Sequence, residues 1–186
     1  MAHDLDFMTD HLSTKKLQWK NIGKKIKNNL SFLTINARSL SNKFSEFLSY
    51  IESIKEKIGF ILVTESWLNR SSDVTFEIPG YKSFNYYRND HSSRNRRGGG
   101  MKLYVLDQID TSVTDITACT SCESLFVNSF IPGLGKIGIA CIYRPPYQQL
   151  ENIDEFLTHM EDLIEYHGRN RLLLFGYFNI SITPKK

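Results

Sequence analysis

The apolar positions change period along the chain, and each period predicts an element. Leu30-Ser-Phe-Leu-Thr-Ile-Asn36 is a short apolar-rich run that suits a buried strand. Behind it, Phe44, Phe47, Leu48, Ile51, Ile54 and Ile58 recur at helical spacing. Ser41 or Asn42 stands where a capping side chain accepts a bond from an unpaired backbone amide, and Gly59 is placed to stop the helix. Phe60-Ile-Leu-Val-Thr64 then reads as a second buried strand. Strand, helix and strand in about thirty-five residues make a βαβ-like unit. Asn36 closes its first strand and Glu65 its second.

From Tyr81 the pattern shortens to strands. Tyr81 to Tyr87, Gly100 to Leu106, Glu123 to Ile131 and Lys136 to Tyr143 read as strands between turn-forming clusters such as Asn89-Asp90-His91-Ser92 and Pro132-Gly133. A second helix is predicted from about Asn152 to His167. Ile153, Phe156, Leu157, Met160, Leu163 and Ile164 form its apolar stripe, and Asn152 with Glu155 fits a capping box. Gly168 ends it, and Arg171 to Phe178 is a last buried strand. The order β-α-β, four strands, α, β predicts a mixed α/β (α+β) layered fold rather than a parallel doubly wound sheet.

Residues 1–29 break this regularity. They are polar and lysine-rich, with Trp19, Ile22 and Ile26 as the main apolar anchors, and are expected to be a poorly ordered leader before a domain at 30–186. A length of 186 residues suits one core. With 41% hydrophobic and 23% charged residues, the composition excludes a wholly disordered or fibrous chain. The longest apolar stretches are strand-length, so no membrane span is expected. The start carries Asp4, Asp6 and Asp10 and no apolar secretory core, which predicts an intracellular protein. Three cysteines, an odd number, argue against a closed disulfide framework.

The net charge of +3 is modest, but its distribution is uneven. Six lysines lie between Lys15 and Lys27, and Arg88, Arg94, Arg96 and Arg97 cluster beside Tyr86 and Tyr87. Arginines of this kind suit contact with DNA phosphates without sequence specificity.

Candidate chemistry gathers at strand ends: Asn36, Glu65, Tyr143 with Arg144, and Asn179. Carboxylate and amide oxygens are hard ligands suited to Mg²⁺. The strings around these residues carry a resemblance. Ile35-Asn-Ala-Arg-Ser-Leu40 resembles the opening motif of the endonuclease domains of non-LTR (LINE-type) retrotransposons, within the endonuclease/exonuclease/phosphatase superfamily. In the same order, Thr64-Glu-Ser-Trp-Leu68, Arg96-Arg-Gly-Gly-Gly100, Ile142-Tyr-Arg-Pro-Pro146 and Phe175-Gly-Tyr-Phe-Asn-Ile180 are similar to the family's later motifs.

The resemblance implies a four-layer αββα sandwich with its site at one edge, and Mg²⁺-dependent (or Mn²⁺-dependent) cleavage of a DNA phosphodiester. It assigns the metal to Glu65 with help from Asn36, the attacked phosphate to Tyr143, and the attacking water to Asn179. It implies DNA as partner through its phosphates, no membrane, and a nuclear location for a functional chain.

Two departures stand against full activity. The family's aspartate in Gly-Asp-Phe-Asn is Tyr177 here, and a phenol is a poor general base near neutral pH. The family's further aspartate and catalytic histidine lie beyond Lys186, so the C-terminal part of the domain is expected to be missing; His91, His159 and His167 do not match that motif. A domain so shortened is expected to expose a sheet edge and to self-associate. The resulting reading is a truncated, catalytically impaired endonuclease. The alternatives are a non-catalytic nucleic-acid-binding remnant, a functionless retrotransposon-derived product, or an abasic-site nuclease or lipid phosphatase of the same superfamily.

Two features carry less. Cys119-Thr-Ser-Cys122 has metal-like spacing, but a structural zinc site normally takes four ligands, so free thiols are expected. Gly98-Gly-Gly100 precedes a strand rather than a helix, so a flexible lead into a hairpin is expected rather than a phosphate loop.

Overall fold

The computed structural model describes residues 12–16 along the backbone, and residues 30–70, 76–87, 98–114, 119–146, 153–166 and 171–179 with their side chains. The elements are β1 (Leu12–Lys16), β2 (Ser31–Asn36), α1 (Phe44–Ser53), β3 (Phe60–Thr64), β4 (Tyr81–Tyr86), β5 (Met101–Leu106), β6 (Asp110–Val113), β7 (Glu123–Ile131), β8 (Gly135–Tyr143), α2 (Ile153–Tyr166) and β9 (Arg171–Tyr177). They form a five-stranded sheet in the order β1-β2-β3-β5-β4 and a four-stranded sheet in the order β6-β7-β8-β9.

Each sheet contains one parallel pair, and a helix makes the crossover. β2 and β3 are parallel around α1, and β8 and β9 are parallel around α2. The remaining pairs are antiparallel. The β8-α2-β9 unit thus repeats the logic of the β2-α1-β3 unit expected from the sequence.

Alternation along the strands builds four layers. Phe60 and Leu62 of β3 face the second sheet with Leu103 and Val105, and meet Leu125, Val127, Ile139 and Cys141. Ile61 and Val63 face the other way, onto Phe47 and Ile51 of α1. On the far side of the second sheet, Phe126, Ala140 and Ile142 pack under Phe156 and Leu163 of α2. A strand covered on both faces needs apolar residues at every position, which is why Phe60 to Thr64 reads as a continuous run. Phe32 stacks on Phe60 at 5.1 Å and meets the edge of Phe175 at 5.4 Å, joining the two sheets. The expected αββα sandwich is therefore observed.

Lys102 is an exception inside this core. Its side chain is wholly buried, but Nζ reaches Glu77 at 2.9 Å and lies 5.4 Å from the centre of the Tyr104 ring. A buried charge persists when it is paired in this way.

Several expected boundaries move. α1 starts at Phe44 behind Lys43, and neither Ser41 nor Asn42 caps it; Lys43 instead sends Nζ to the Ala37 carbonyl at 2.9 Å. The helix ends at Ser53, where Ile54 turns to extended backbone, so Gly59 does not stop it. Ile58 is buried without being helical. Asn152 lies outside the described residues. Its expected capping partner Glu155 accepts the backbone N–H and the hydroxyl of Thr120, at 2.9 and 2.7 Å. Strand β6 was not expected, because Asp110 to Val113 is short, polar and mostly exposed; pairing with β7 makes it a strand. β1 falls within the expected leader and pairs with β2 from Leu12↔Ile35 to Lys16↔Ser31.

Among the described residues β9 pairs on one side only, with β8. Its apolar run is half-buried, and Leu174 is exposed. No described helix is long and apolar enough to cross a membrane.

Candidate functional site

The β2-β3 register places Asn36 opposite Thr64, so Glu65 emerges one residue beyond the paired strands. The chain there keeps contact with both neighbours while it bends. Ser39 donates to the Glu65 carbonyl and Leu40 to that of Ser66, both at 2.9 Å. On the other side, Ser66 donates to Gly100 at 3.1 Å and Trp67 to Gly99 at 2.9 Å. Glu65 and Trp67 take positive φ values of 51° and 56°. Arg38, Ser39 and Asn179 are the other described non-glycine residues with positive φ, and all five lie at this end of the sheets. Such conformations cost about 1–3 kcal/mol each and persist where surrounding contacts over-determine them.

Three side chains meet on one carboxylate oxygen. Asn36 donates from Nδ2 to Glu65 Oε1 at 2.9 Å, and the Tyr143 hydroxyl donates to the same oxygen at 2.8 Å. The Asn36 amide is oriented by this bond, since the flipped amide would set oxygen against oxygen. Its Oδ1 is consequently buried without a hydrogen-bond partner. A buried acceptor left this way is costly, and it is the atom a hard cation would take.

Asn179 sits apart from that trio. Its Nδ2 donates to the Arg144 carbonyl at 2.7 Å, and Arg144 Nη1 reaches back to the Asn179 carbonyl at 3.4 Å. Arg144 N–H also donates to the Tyr177 carbonyl at 2.9 Å. No hydrogen bond among the described residues joins Asn179 to Asn36, Glu65 or Tyr143. Tyr177 stands directly opposite Tyr143 in the β8-β9 register and packs on the core between the sheets.

One residue was missed by sequence reasoning. Glu123 is buried, faces Tyr143 across the β7-β8 pair, and accepts the Gly100 N–H at 2.7 Å. The available signal was a carboxylate opening an otherwise apolar strand. Gly100 itself is held rather than flexible. Its φ is +79°, and a Cβ there would lie 2.9 Å from Ser66 Oγ. A cleft of about 420 Å³ bounded by Asp110, Asn128, Phe130, Lys136 and Tyr166 lies toward the other end of β7 and contains none of these residues. Arg88, Arg94, Arg96 and Arg97, like His91 and His167, lie outside the described residues.

No protein-family model matches the chain, and no curated protein matches it. Solved structures do. The endonuclease domain of TRAS1, a telomere-specific non-LTR retrotransposon, superposes with a TM-score of 0.59 at 14% identity over 81% of this chain and 61% of that one. TDP2 from C. elegans gives 0.57 at 12% identity, over 82% of this chain and 48% of that one. AP endonuclease LMAP from Leishmania major gives 0.55 at 14% identity, over 93% of this chain and 57% of that one. The chain has the endonuclease/exonuclease/phosphatase fold.

Within that fold the chain spans about three fifths or less of the length of these structures. The described parts of the strings singled out in the sequence come together in it. Ile35–Leu40 ends β2, Thr64–Leu68 follows β3, Gly98–Gly100 leads into β5, Ile142–Pro146 ends β8, and Phe175–Asn179 ends β9.

Proposed function

We propose that this end of the endonuclease/exonuclease/phosphatase sandwich is a Mg²⁺-dependent phosphodiesterase site that takes the phosphate backbone of DNA and turns over slowly. The carrying observation is the Asn36–Glu65–Tyr143 trio, with the buried Asn36 Oδ1 left unpartnered.

Both bonds to Glu65 fall on Oε1, so Oε2 and Asn36 Oδ1 are the atoms assigned to the cation, with Mg²⁺ favoured by hard oxygen donors and Mn²⁺ able to substitute. When bound, such an ion offsets charge on the phosphate and on the leaving oxygen. Tyr143, held in place by Glu65, would turn its single hydroxyl hydrogen from Oε1 to a phosphate oxygen when one is bound. Arg144 adds fixed positive charge beside it. Asn179, whose Nδ2 is committed to the Arg144 carbonyl, supplies Oδ1 as the acceptor that orients water.

Tyr177 is the reason for slow turnover. It stands where the resemblance gives an aspartate base, and absence of a general base costs about 10²–10⁴ in rate. The half-buried packing of Tyr177 against the inter-sheet core favours the second reading, a module that holds DNA without cutting it. DNA as ligand would place the chain in the nucleus.

The test is nicking of supercoiled plasmid by folded protein with and without Mg²⁺, beside Glu65→Gln, with DNA binding followed by fluorescence anisotropy. Weak Mg²⁺-dependent nicking lost in Glu65→Gln is expected. Salt-dependent binding without nicking would select the DNA-holding module. Folded protein that neither binds nor nicks would overturn both.

A further inference from the structure

A second cluster of ligating side chains lies on the opposite face of the second sheet from the inter-sheet core. Cys119 and Cys122 flank the turn that leads into β7, and His159 lies on the buried face of α2. The ligand atoms of Cys119, Cys122 and His159 all lie within 4.8 Å of one another. In the sequence the histidine is far from the cysteine pair, so the third ligand was invisible there.

The cluster is held from both sides. Glu155 and His159 are one helical turn apart on α2. Glu155 grips Thr120, between the two cysteines, through its N–H at 2.9 Å and its hydroxyl at 2.7 Å. His159 Nε2 lies 3.2 Å from Ser124 Oγ, which fixes the ring, and Ser121 Oγ lies 3.0 Å from Cys119 Sγ. Cys122 and His159 are buried, whereas Cys119 is half-exposed and gives access. The hydrogen bond from Cys122 pulls the Cys119 thiol down to about 5, while the same contact pushes Cys122 up. Thiolate is the form in which cysteine binds metal.

Tetrahedral zinc has Zn–S bonds of about 2.3 Å and Zn–N bonds of about 2.0 Å, which set ligand atoms about 3.5–3.8 Å apart. From 4.8 Å, the cluster needs to close by about 1.3 Å at most. We propose that Cys119, Cys122 and His159 form a Zn²⁺ site, with its fourth position open to water, that pins α2 to the start of β7. Binding releases the thiol protons of Cys119 and Cys122 to solvent and involves no redox change. The donor set is soft sulfur and imidazole nitrogen, chemically distinct from the oxygen set at Glu65.

The test uses the full chain, reduced and stripped of metal, titrated with Co²⁺ as an optical probe and then with Zn²⁺. One equivalent of Co²⁺ is expected to give a thiolate charge-transfer band and the visible bands of a tetrahedral centre, both erased by Zn²⁺. Zn²⁺ is expected to raise the thermal midpoint. Cys119→Ser, at a half-exposed position, is expected to keep its circular dichroism and weaken metal affinity at least about tenfold, as even the outer partners of metal ligands are worth that much. His159→Gln is expected to act in the same direction. A folded wild-type chain that gives no thiolate band, or unchanged affinity in Cys119→Ser, would overturn the proposal.

Discussion

Tyr143 donates its phenolic hydrogen to Oε1 of Glu65 at 2.8 Å, across 78 residues of chain and from one sheet to the other. The bond closes the gap between the sheets at the end where the candidate site lies. A hydrogen bond to a charged group is worth about 1.5–3 kcal/mol when desolvated, and this one is only partly buried. Tyr143→Phe is expected to lower unfolding free energy by about 1–2 kcal/mol, read from the urea midpoint at constant m-value. A midpoint equal to wild type would show that the sheets are held together elsewhere.

Gly176 sits opposite Ile142 in the parallel β8-β9 pair, and a Cβ there would overlap the Ile142 backbone. Backbone cannot move aside as a flexible side chain can. Gly176→Ala is expected to cost about 3 kcal/mol or more and to detach the end of β9 that carries Tyr177 and Asn179. Hydrogen exchange at the amides of Phe175 to Asn179 reads this directly, and unchanged protection would refute it.

Burial pushes the Tyr81 hydroxyl above its ordinary value of 10.0, and that hydroxyl donates to the Ile58 carbonyl at 2.9 Å. The folded state therefore keeps the proton longer than the unfolded chain. This stabilisation is whole below about pH 10 and is lost as pH rises through the higher folded value. Tyr81→Phe is expected to flatten the alkaline fall of stability, measured by urea unfolding above pH 9–11 at roughly half-unit steps. An identical alkaline fall in the variant would assign it to another group.

Much of this architecture is legible in the sequence, for physical reasons. β3 is apolar at every position because it is covered twice, and the stripes of α1 and α2 repeat at helical spacing because each helix packs one face. The candidate residues Asn36, Glu65, Tyr143 and Asn179 stand out in the sequence because each is a polar group closing an apolar run. What was not legible depends on pairing at a distance. β6 is a strand only because β7 lies beside it, and β1 because β2 does. α1 starts without a side-chain cap, so its capping signal pointed to the wrong residues. Glu123 and His159 gain their significance from partners, Gly100 and the Cys119–Cys122 turn, that only the fold brings near.

The arginines at 88, 94, 96 and 97 are proposed to contact DNA phosphates. Replacing all four with serine is expected to weaken DNA binding and to make the slope of log affinity against log salt shallower by about 3–4, since each phosphate contact contributes about 0.9. An unchanged slope would place the phosphate contacts on other cations, including the lysines between Lys15 and Lys27.

Glu65 and Asn36 are proposed to hold a hard divalent cation, and Mn²⁺ binding followed by electron paramagnetic resonance tests this without requiring catalysis. One Mn²⁺ is expected to bind the wild-type chain and to be competed by Mg²⁺. Glu65→Gln is expected to lose it, and Cys119→Ser to keep it. Mn²⁺ binding that survives Glu65→Gln, or that is absent from the folded wild-type chain, would contradict the account.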